Sequence, residues 1–173
     1  LRAQSRDTPS EDNRALATLV PIGSIAQRVN GFSALTSALA VAFSYLVILR
    51  LNRLVLARET ARAPAADGGH MVSEDHRKEW IAQIGALIGA AVLIFSDNFW
   101  ENSIEAEVYA IASLAQVAAL WLGLRWWEAH EKKPTAGPLL VAVYLMWLCV
   151  GLHLGVGMMG APLMVLVWMV DRR

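Results

Sequence analysis

Four intervals of the chain, each at least 17 residues long, contain no Asp, Glu, Lys or Arg. They comprise residues 32–49, 80–96, 108–124 and 138–170. A helix needs about 20 apolar residues to cross the hydrocarbon core of a bilayer, where charges and unpaired peptide groups are costly. Intervals of this kind predict helices that span a membrane.

The last interval is 33 residues long, which is long for one membrane span and short for two. Its centre contains a group of helix-breaking residues: Gly151, Gly155, Gly157, Gly160 and Pro162. We therefore expect a break there with a short helix on each side. The sequence then predicts an all-α, polytopic membrane helix bundle of about five spans, near residues 32–51, 80–96, 104–125, 138–153 and 156–170.

A soluble helical bundle with an apolar core is the alternative, because fully buried helices are also hydrophobic on every face. Its difficulty is composition: 56% of the residues are hydrophobic and 17% are charged, against about a quarter charged in soluble domains. So short a chain would have too little polar surface to cover these helices. A β-barrel is excluded because its strands would alternate polar and apolar residues, and these intervals do not.

The charge balance and the cysteine content exclude several functional classes. The 15 Lys and Arg balance the 15 Asp and Glu, so no excess of positive charge is available to neutralise the phosphates of a nucleic acid. The single cysteine, Cys149, excludes a disulfide framework and a cysteine-based zinc site. The sequence also has no His-x-x-x-His motif and no phosphate-binding glycine loop, so neither a dedicated metal site nor a nucleotide P-loop is predicted.

The charges are segregated between the predicted spans, and this sets the orientation. Lys and Arg concentrate after the first span, in the link 125–137 and at the C-terminus, whereas the link 97–107 has four acids and no base. Because cytoplasmic loops are enriched in Lys and Arg, we expect the acidic link outside and the C-terminus in the cytoplasm. Residues 1–31 are then an outer-face loop with an interfacial lead, and residues near 52–79 are a flexible cytoplasmic linker.

Small and aromatic residues predict contacts of the spans. Gly85 and Gly89 form a pair at four-residue spacing, which lets two helix backbones approach closely. Trp126 and Trp127 lie at the end of the third predicted span, where aromatic residues anchor helices at the membrane interface.

The link between the second and third spans carries the most unusual polar residues of the predicted outer face. Asp97, Glu105 and Glu107 lie beside aromatic residues and close to Tyr109 at the edge of a span. Acids at a membrane boundary are costly and need a reason, which makes them candidates for a functional site. Glu105 has a structural alternative, because Asn102 three residues before it completes the pattern of a helix capping box.

A second candidate is His153, which lies in the predicted helix break, within Gly151-Leu152-His153-Leu154-Gly155. A single histidine in an apolar helix is commonly a packing residue. The break, however, places His153 at the outer end of its span, on the same side as the acids. His153 is therefore a candidate site residue as well as a packing residue.

These residues carry a resemblance to a known family. The signature segment of the protein O-mannosyltransferase-like membrane proteins, known as domain of unknown function 2723, is similar to residues 99–110, FWENSIEAEVYA. Weaker matches follow in the family's order: Arg28-Val29-Asn30 with Ser33-Ala34-Leu35, Leu122-Gly123-Leu124-Arg125-Trp126, and Gly151-Leu152-His153-Leu154-Gly155. The resemblance covers about residues 18–170.

The resemblance implies a C-type glycosyltransferase (GT-C) fold, of which this chain would be one part. Such enzymes take a sugar, here mannose-like, from a polyprenyl phosphate and transfer it to a hydroxyl of a protein or glycan acceptor on the outer face. The implied setting is multi-pass in a bacterial inner membrane. The family's catalytic acid belongs to an Asp-x-Gly-Glu motif that precedes a His-Pro-Pro-Gly motif, and neither occurs in this sequence. We expect that acid upstream of Leu1, so this fragment alone is expected to be inactive.

The resulting hypothesis is that Glu105, Glu107 and His153 form a second wall of an outer-face site. Tyr109, Asp97 and Asn30 are further candidates for binding the sugar or acceptor, and Arg28 is a candidate for a phosphate contact. These groups could also help to organise a divalent metal at the phosphate head group.

Two alternatives from other classes stay open. One is a membrane transporter, in which glycine breaks and a histidine mark a substrate path, although the sequence has no evident inverted repeat. The other is a structural membrane module without catalysis.

Overall fold

The computed structural model describes residues 23–62, 71–104, 108–130 and 135–171. These residues form α1 (Ile25–Arg62), α2 (Met71–Ile94), α3 (Asp97–Ile104), α4 (Tyr109–His130), α5 (Gly137–Val150) and α6 (Gly160–Asp171). A 3-10 helix, Leu154–Met159, precedes α6, and the described part of the chain contains no strand. The predicted all-α class is confirmed.

Helix α1 begins with a capping box formed by Ser24 and Gln27. The backbone N–H of Ser24 donates to Gln27 Oε1 at 2.9 Å, and the backbone N–H of Gln27 donates to Ser24 Oγ at 3.3 Å. These two bonds satisfy donors that have no partner within the first helical turn. Since α1 has 38 residues, this start fixes the first turn of the longest helix described.

Helices α1 and α4 pack side by side in the same direction. At one level Phe43 contacts Trp121 edge to face, with ring centroids 5.3 Å apart, and two turns further on Arg50 pairs with Glu128 at 2.6 Å. Both helices bury mainly small side chains, which permit close packing. On α1 these include Ser33, Thr36, Ser37, Ala40 and Ser44; on α4 they include Ala110, Ala112, Ala115, Ala119 and Gly123.

Two buried hydroxyls of α1, those of Thr36 and Ser44, are paired within their own helix. Ser44 Oγ donates to the carbonyl of Ala40 at 2.8 Å, and Thr36 Oγ1 lies 3.0 Å from the carbonyls of Phe32 and Ser33. A buried hydroxyl with such a partner avoids most of the cost of leaving water. These polar positions are therefore compatible with a helix–helix contact.

Helix α2 runs antiparallel to α1, and the predicted glycine pair lies at their contact. A Cβ atom at Gly85 would stand 2.9 Å from Asn52 Nδ2, and one at Gly89 would stand 2.8 Å from Ile48 Cδ1. Asn52 Nδ2 also donates to the carbonyl of Ala82 at 3.1 Å. Gly85 and Gly89 thus provide the close approach that their spacing predicts.

Two segments are long and apolar enough to cross a membrane: Ile25–Ala61 and Leu154–Asp171. Gly137–Val150 is a shorter apolar helix. Large apolar side chains point away from the bundle, and Phe95 and Leu154 are 84% and 81% exposed. Apolar surface of this extent favours a lipid or protein environment over water.

The expectation of a flexible linker near residues 52–79 is wrong for most of that stretch. Helix α1 continues to Arg62 and α2 begins at Met71, with residues 63–70 outside the described part. Two cross-helix bonds explain the extension: Arg53 Nε donates to Glu79 Oε2 at 3.0 Å, and Lys78 Nζ donates to Thr60 Oγ1 at 2.9 Å. Charged residues here pair across two helices, which composition alone does not reveal.

Two smaller expectations also need correction. Asn102 lies inside α3, which begins at Asp97 with that acid in its favourable first turn, so Asn102 is not the N-cap of the following helix. Trp126 and Trp127 are buried at 5% and 6% exposure instead of facing an interface. They pack in a core with Leu163 and other residues, because α4 is enclosed by α1, α5 and α6.

The contact of α4 with α6 predicts a steric effect at Gly123. A Cβ atom there would lie 2.5 Å from Leu163 Cδ2 and 3.2 Å from Leu166 Cδ1, so Gly123→Ala should destabilise the fold by about 1–3 kcal/mol through overpacking. The control is Gly31→Ala, because a Cβ atom at Gly31 meets nothing within 4 Å and alanine favours the helix. Thermal unfolding in detergent should rank Gly31→Ala at or above wild type and Gly123→Ala below it; equal stability would contradict the packing.

The pairing of Glu79 predicts an acid dependence. The hydrogen bond from Arg53, with a second from Gln83, lowers the pKa of Glu79 from its usual value near 4.5. A carboxyl with a lowered folded-state pKa stabilises the fold above its unfolded pKa, and the contribution is lost as pH falls through the folded value. Wild type should therefore lose more stability than Glu79→Gln on acidification below about pH 4.5, whereas Glu59→Gln, at an exposed site on α1, should behave like wild type. If wild type and Glu79→Gln lost the same amount of stability on acidification, the Arg53–Glu79 pairing would be contradicted.

Candidate functional site

The helix break after α5 is built around His153. The backbone N–H groups of Leu152 and His153 both donate to the carbonyl of Cys149 at 3.0 Å, which closes the end of α5. His153 then adopts an extended conformation, with φ −151° and ψ 117°, and its carbonyl accepts from Val156 N–H at 3.0 Å as the 3-10 helix begins. His153 is therefore the N-cap residue between two helices.

The imidazole of His153 is held by the backbone of Gly155. Its Nδ1 accepts a hydrogen bond from Gly155 N–H at 3.1 Å, so a neutral ring carries its proton on Nε2. This contact needs glycine, because a Cβ atom at position 155 would lie 2.8 Å from both Nδ1 and Cε1 of the imidazole. In that tautomer Nε2 is the N–H donor of the ring.

Tyr109 packs against the same imidazole. It is the first residue of α4, and its ring meets His153 edge to face, with centroids 5.3 Å apart and planes at 64°. Both side chains are partly exposed. The structure thus brings together two of the residues that the sequence marks as site candidates. Tyr109 follows the acidic link, and His153 lies in the helix break.

Gln116 is a member of this group that the sequence reasoning missed. It lies on α4, two turns after Tyr109, and its Nε2 donates to the carbonyl of Gly155 at 3.0 Å. An available signal was its chemistry, since Gln116 is the one carboxamide in the uncharged interval 108–124. A polar amide in an apolar helix is costly unless it has a partner, and here the partner is the peptide next to His153.

A small apolar core joins the segments that carry Gln116 and His153. Ala112, Ala115, Cys149 and Val156 are buried together, with Val156 fully inaccessible. Their side chains join α4, α5 and the 3-10 helix directly beside Gln116 and His153. Tight packing of this kind restricts the motion of the backbone that carries the polar groups.

The remaining candidates lie elsewhere or outside the described residues. Asp97 is exposed in the first turn of α3, and Asn30 is exposed on α1. Arg28 is half-buried and donates to the carbonyl of Gly23 at 3.1 Å. Glu105 and Glu107 fall outside the described residues, so their expected roles remain predictions.

Helix direction places the candidates of the described chain at one end of the bundle. Helices α1 and α4 both begin there, and α2 and α5 end there. Helix α3 connects the end of α2 toward the start of α4 and contacts α1. The ion pairs of Arg50 with Glu128 and of Arg53 with Glu79 lie toward the opposite end.

The described residues do not form a ligand set for a divalent metal. Within 23–62, 71–104, 108–130 and 135–171, no three His, Cys, Asp or Glu side chains come close enough to hold one ion. His153 Nδ1 is already occupied by Gly155 N–H. We therefore derive no chemical step through a metal from these residues.

Comparison with known protein families identifies a matching family model. The family model described as protein O-mannosyl-transferase TMEM260 N-terminal domain matches residues 13–173. No curated protein and no solved structure matches the chain significantly.

Proposed function

Because the chain belongs to the family of the protein O-mannosyl-transferase TMEM260 N-terminal domain, we propose that it forms part of the sugar-transfer site of an integral membrane glycosyltransferase. The full enzyme transfers a mannose-like sugar from a polyprenyl phosphate to a hydroxyl of a protein or glycan acceptor. The observation that carries this assignment to particular residues is the contact of Tyr109 with His153 at the helix break.

The membrane arrangement that we propose has about five spans within a larger GT-C fold. Two apolar segments, Ile25–Ala61 and Leu154–Asp171, are long and apolar enough to cross a membrane, which supports this arrangement. The end with Tyr109 and His153 faces outward and the C-terminus is cytoplasmic, because Lys and Arg concentrate at the opposite end of the bundle. A bacterial inner membrane is the proposed location.

In the proposed reaction the acceptor hydroxyl oxygen attacks the anomeric carbon of the donor sugar. The bond from that carbon to the phosphate oxygen breaks, polyprenyl phosphate leaves with the electron pair, and the hydroxyl proton passes to a base. His153 donates its Nε2–H to an oxygen of the sugar, the acceptor or the phosphate, and thereby orients it. The base is a carboxylate outside the described residues.

Other residues at this end would contribute binding. Arg28, whose Nη2 donates to the carbonyl of Gly23 at 3.1 Å at this end of α1, is proposed to contact a phosphate oxygen of the donor. Glu105 and Glu107 immediately precede Tyr109 in the sequence and are proposed to accept hydrogen bonds from sugar hydroxyls. Asp97 and Asn30 are proposed as more peripheral contacts.

The test is sugar transfer by the full-length protein with His153→Phe. The phenyl ring keeps the apolar contact with Tyr109 but has no N–H donor, so the turnover rate should fall about 100-fold. The matched control is His76→Gln, which changes an exposed histidine near the start of α2 at the opposite end and should leave transfer unchanged. The assay uses polyprenyl-phosphate mannose and a serine-containing peptide.

Unchanged transfer by a folded His153→Phe variant would overturn the proposed role of this group. Equal losses in the His153 and His76 variants would point to a general effect of histidine replacement on the fold.

A further inference from the structure

We propose that Gln116 is a positioning residue for His153 and that it acts through the peptide groups of Gly155. This inference deepens the proposed function, on which its catalytic consequence rests. The geometric basis is independent of that function: Gln116 Nε2 donates to the Gly155 carbonyl at 3.0 Å, and Gly155 N–H donates to His153 Nδ1 at 3.1 Å.

Gly155 needs an external restraint because of its own chemistry. Glycine has more backbone freedom than any other residue, and it is required here because the imidazole occupies the place of a Cβ atom. The N–H that orients His153 therefore belongs to a glycine of the 3-10 helix, a residue type with little intrinsic restraint on its backbone. The hydrogen bond from Gln116 fixes the carbonyl of the same residue and reduces that freedom.

Gln116 is itself held rigidly. Its neighbour Ala115 is buried against Cys149 and Val156, and α4 continues through the centre of the bundle to Leu124. A bond from this helix to Gly155 connects the break to a helix that also contacts α1, α5 and α6. The result is a fixed direction for the imidazole and for its Nε2–H donor.

Tyr109 completes the arrangement from the other side of the ring. Its edge-to-face contact limits the rotation of the imidazole plane, whereas the Gly155 N–H fixes which nitrogen accepts. Together the two contacts favour one tautomer and one orientation. A donor held in this way loses little entropy when a substrate oxygen binds.

The first experiment reads the imidazole directly, without activity. Nitrogen-15 spectra of the full-length protein, labelled at histidine and recorded at about pH 8, where a free imidazole is neutral, should show His153 as a single Nε2-protonated tautomer. The signal that is lost in the His153→Phe spectrum is assigned to His153. Gln116→Leu, which removes the amide donor, should shift the signal toward a tautomer mixture.

Two glycine variants provide a matched pair for the same spectrum. Gly155→Ala should displace the imidazole, since its Cβ atom would lie 2.8 Å from the ring. Gly151→Ala should leave the His153 signal unchanged, because its nearest neighbour would be the Leu148 carbonyl oxygen at 3.9 Å. An unaltered His153 signal in folded Gln116→Leu and Gly155→Ala would overturn the proposal, whatever happens to activity.

The second experiment measures coupling in sugar transfer. Gln116→Leu should lower kcat about tenfold with the donor KM changed less than about twofold, as expected for a loss of orientation after binding. Added to His153→Phe, the same substitution should cost less than about twofold more. A further tenfold loss in the double variant would show that Gln116 acts independently of His153 and would contradict the proposal.

The two experiments separate the two levels of inference. A shifted His153 signal in Gln116→Leu together with full activity of His153→Phe would support positioning and overturn the proposed function. A loss of activity in Gln116→Leu with an unshifted signal would overturn positioning alone.

Discussion

The close contact between α1 and α4 is the interaction on which the rest of this structure depends. Both helices bury small side chains, and the hydroxyls of Thr36 and Ser44 on α1 donate to carbonyls of their own helix. Such a contact needs no exposed polar group between the helices, so it can form in hydrocarbon as well as in water. Helix α4 is thereby held centrally, with α5, the 3-10 helix and α6 also in contact with it.

The candidate site follows from that central position. Tyr109 begins α4 and Gln116 lies two turns along it, so both are presented to the break between α5 and α6. The break provides two features that a continuous helix lacks. His153 has an extended conformation, and both the N–H and the carbonyl of Gly155 form hydrogen bonds with side chains. Polar chemistry at the end of an apolar bundle is thus supported by buried alanines and Val156.

Much of this could be predicted from the sequence, because some signals act locally. Uncharged intervals predict the helical class, and the Gly85/Gly89 spacing predicts a close helix–helix contact, which the structure places against α1. The glycines after Val150 predict the break. The sequence also marks Tyr109 and His153 as candidates, and the structure shows that they are in contact. What escaped depended on contacts between segments distant in the sequence. One example is the hydrogen-bond partner of Gln116. Another is the pairing of Arg53 with Glu79, which joins two helices in a stretch expected to be a linker.

The proposed membrane arrangement puts the two ends of the bundle on opposite sides of a membrane, with Tyr109 and His153 at the outer end. Impermeant maleimide labelling of single cysteines in a Cys149→Ala background tests it most directly, with Glu101→Cys on α3 and Glu59→Cys on α1, both at exposed positions. With this orientation, the position-101 thiol should be labelled in intact cells and the position-59 thiol only after permeabilisation. Labelling of both thiols in intact cells, or of the position-59 thiol alone, would contradict it.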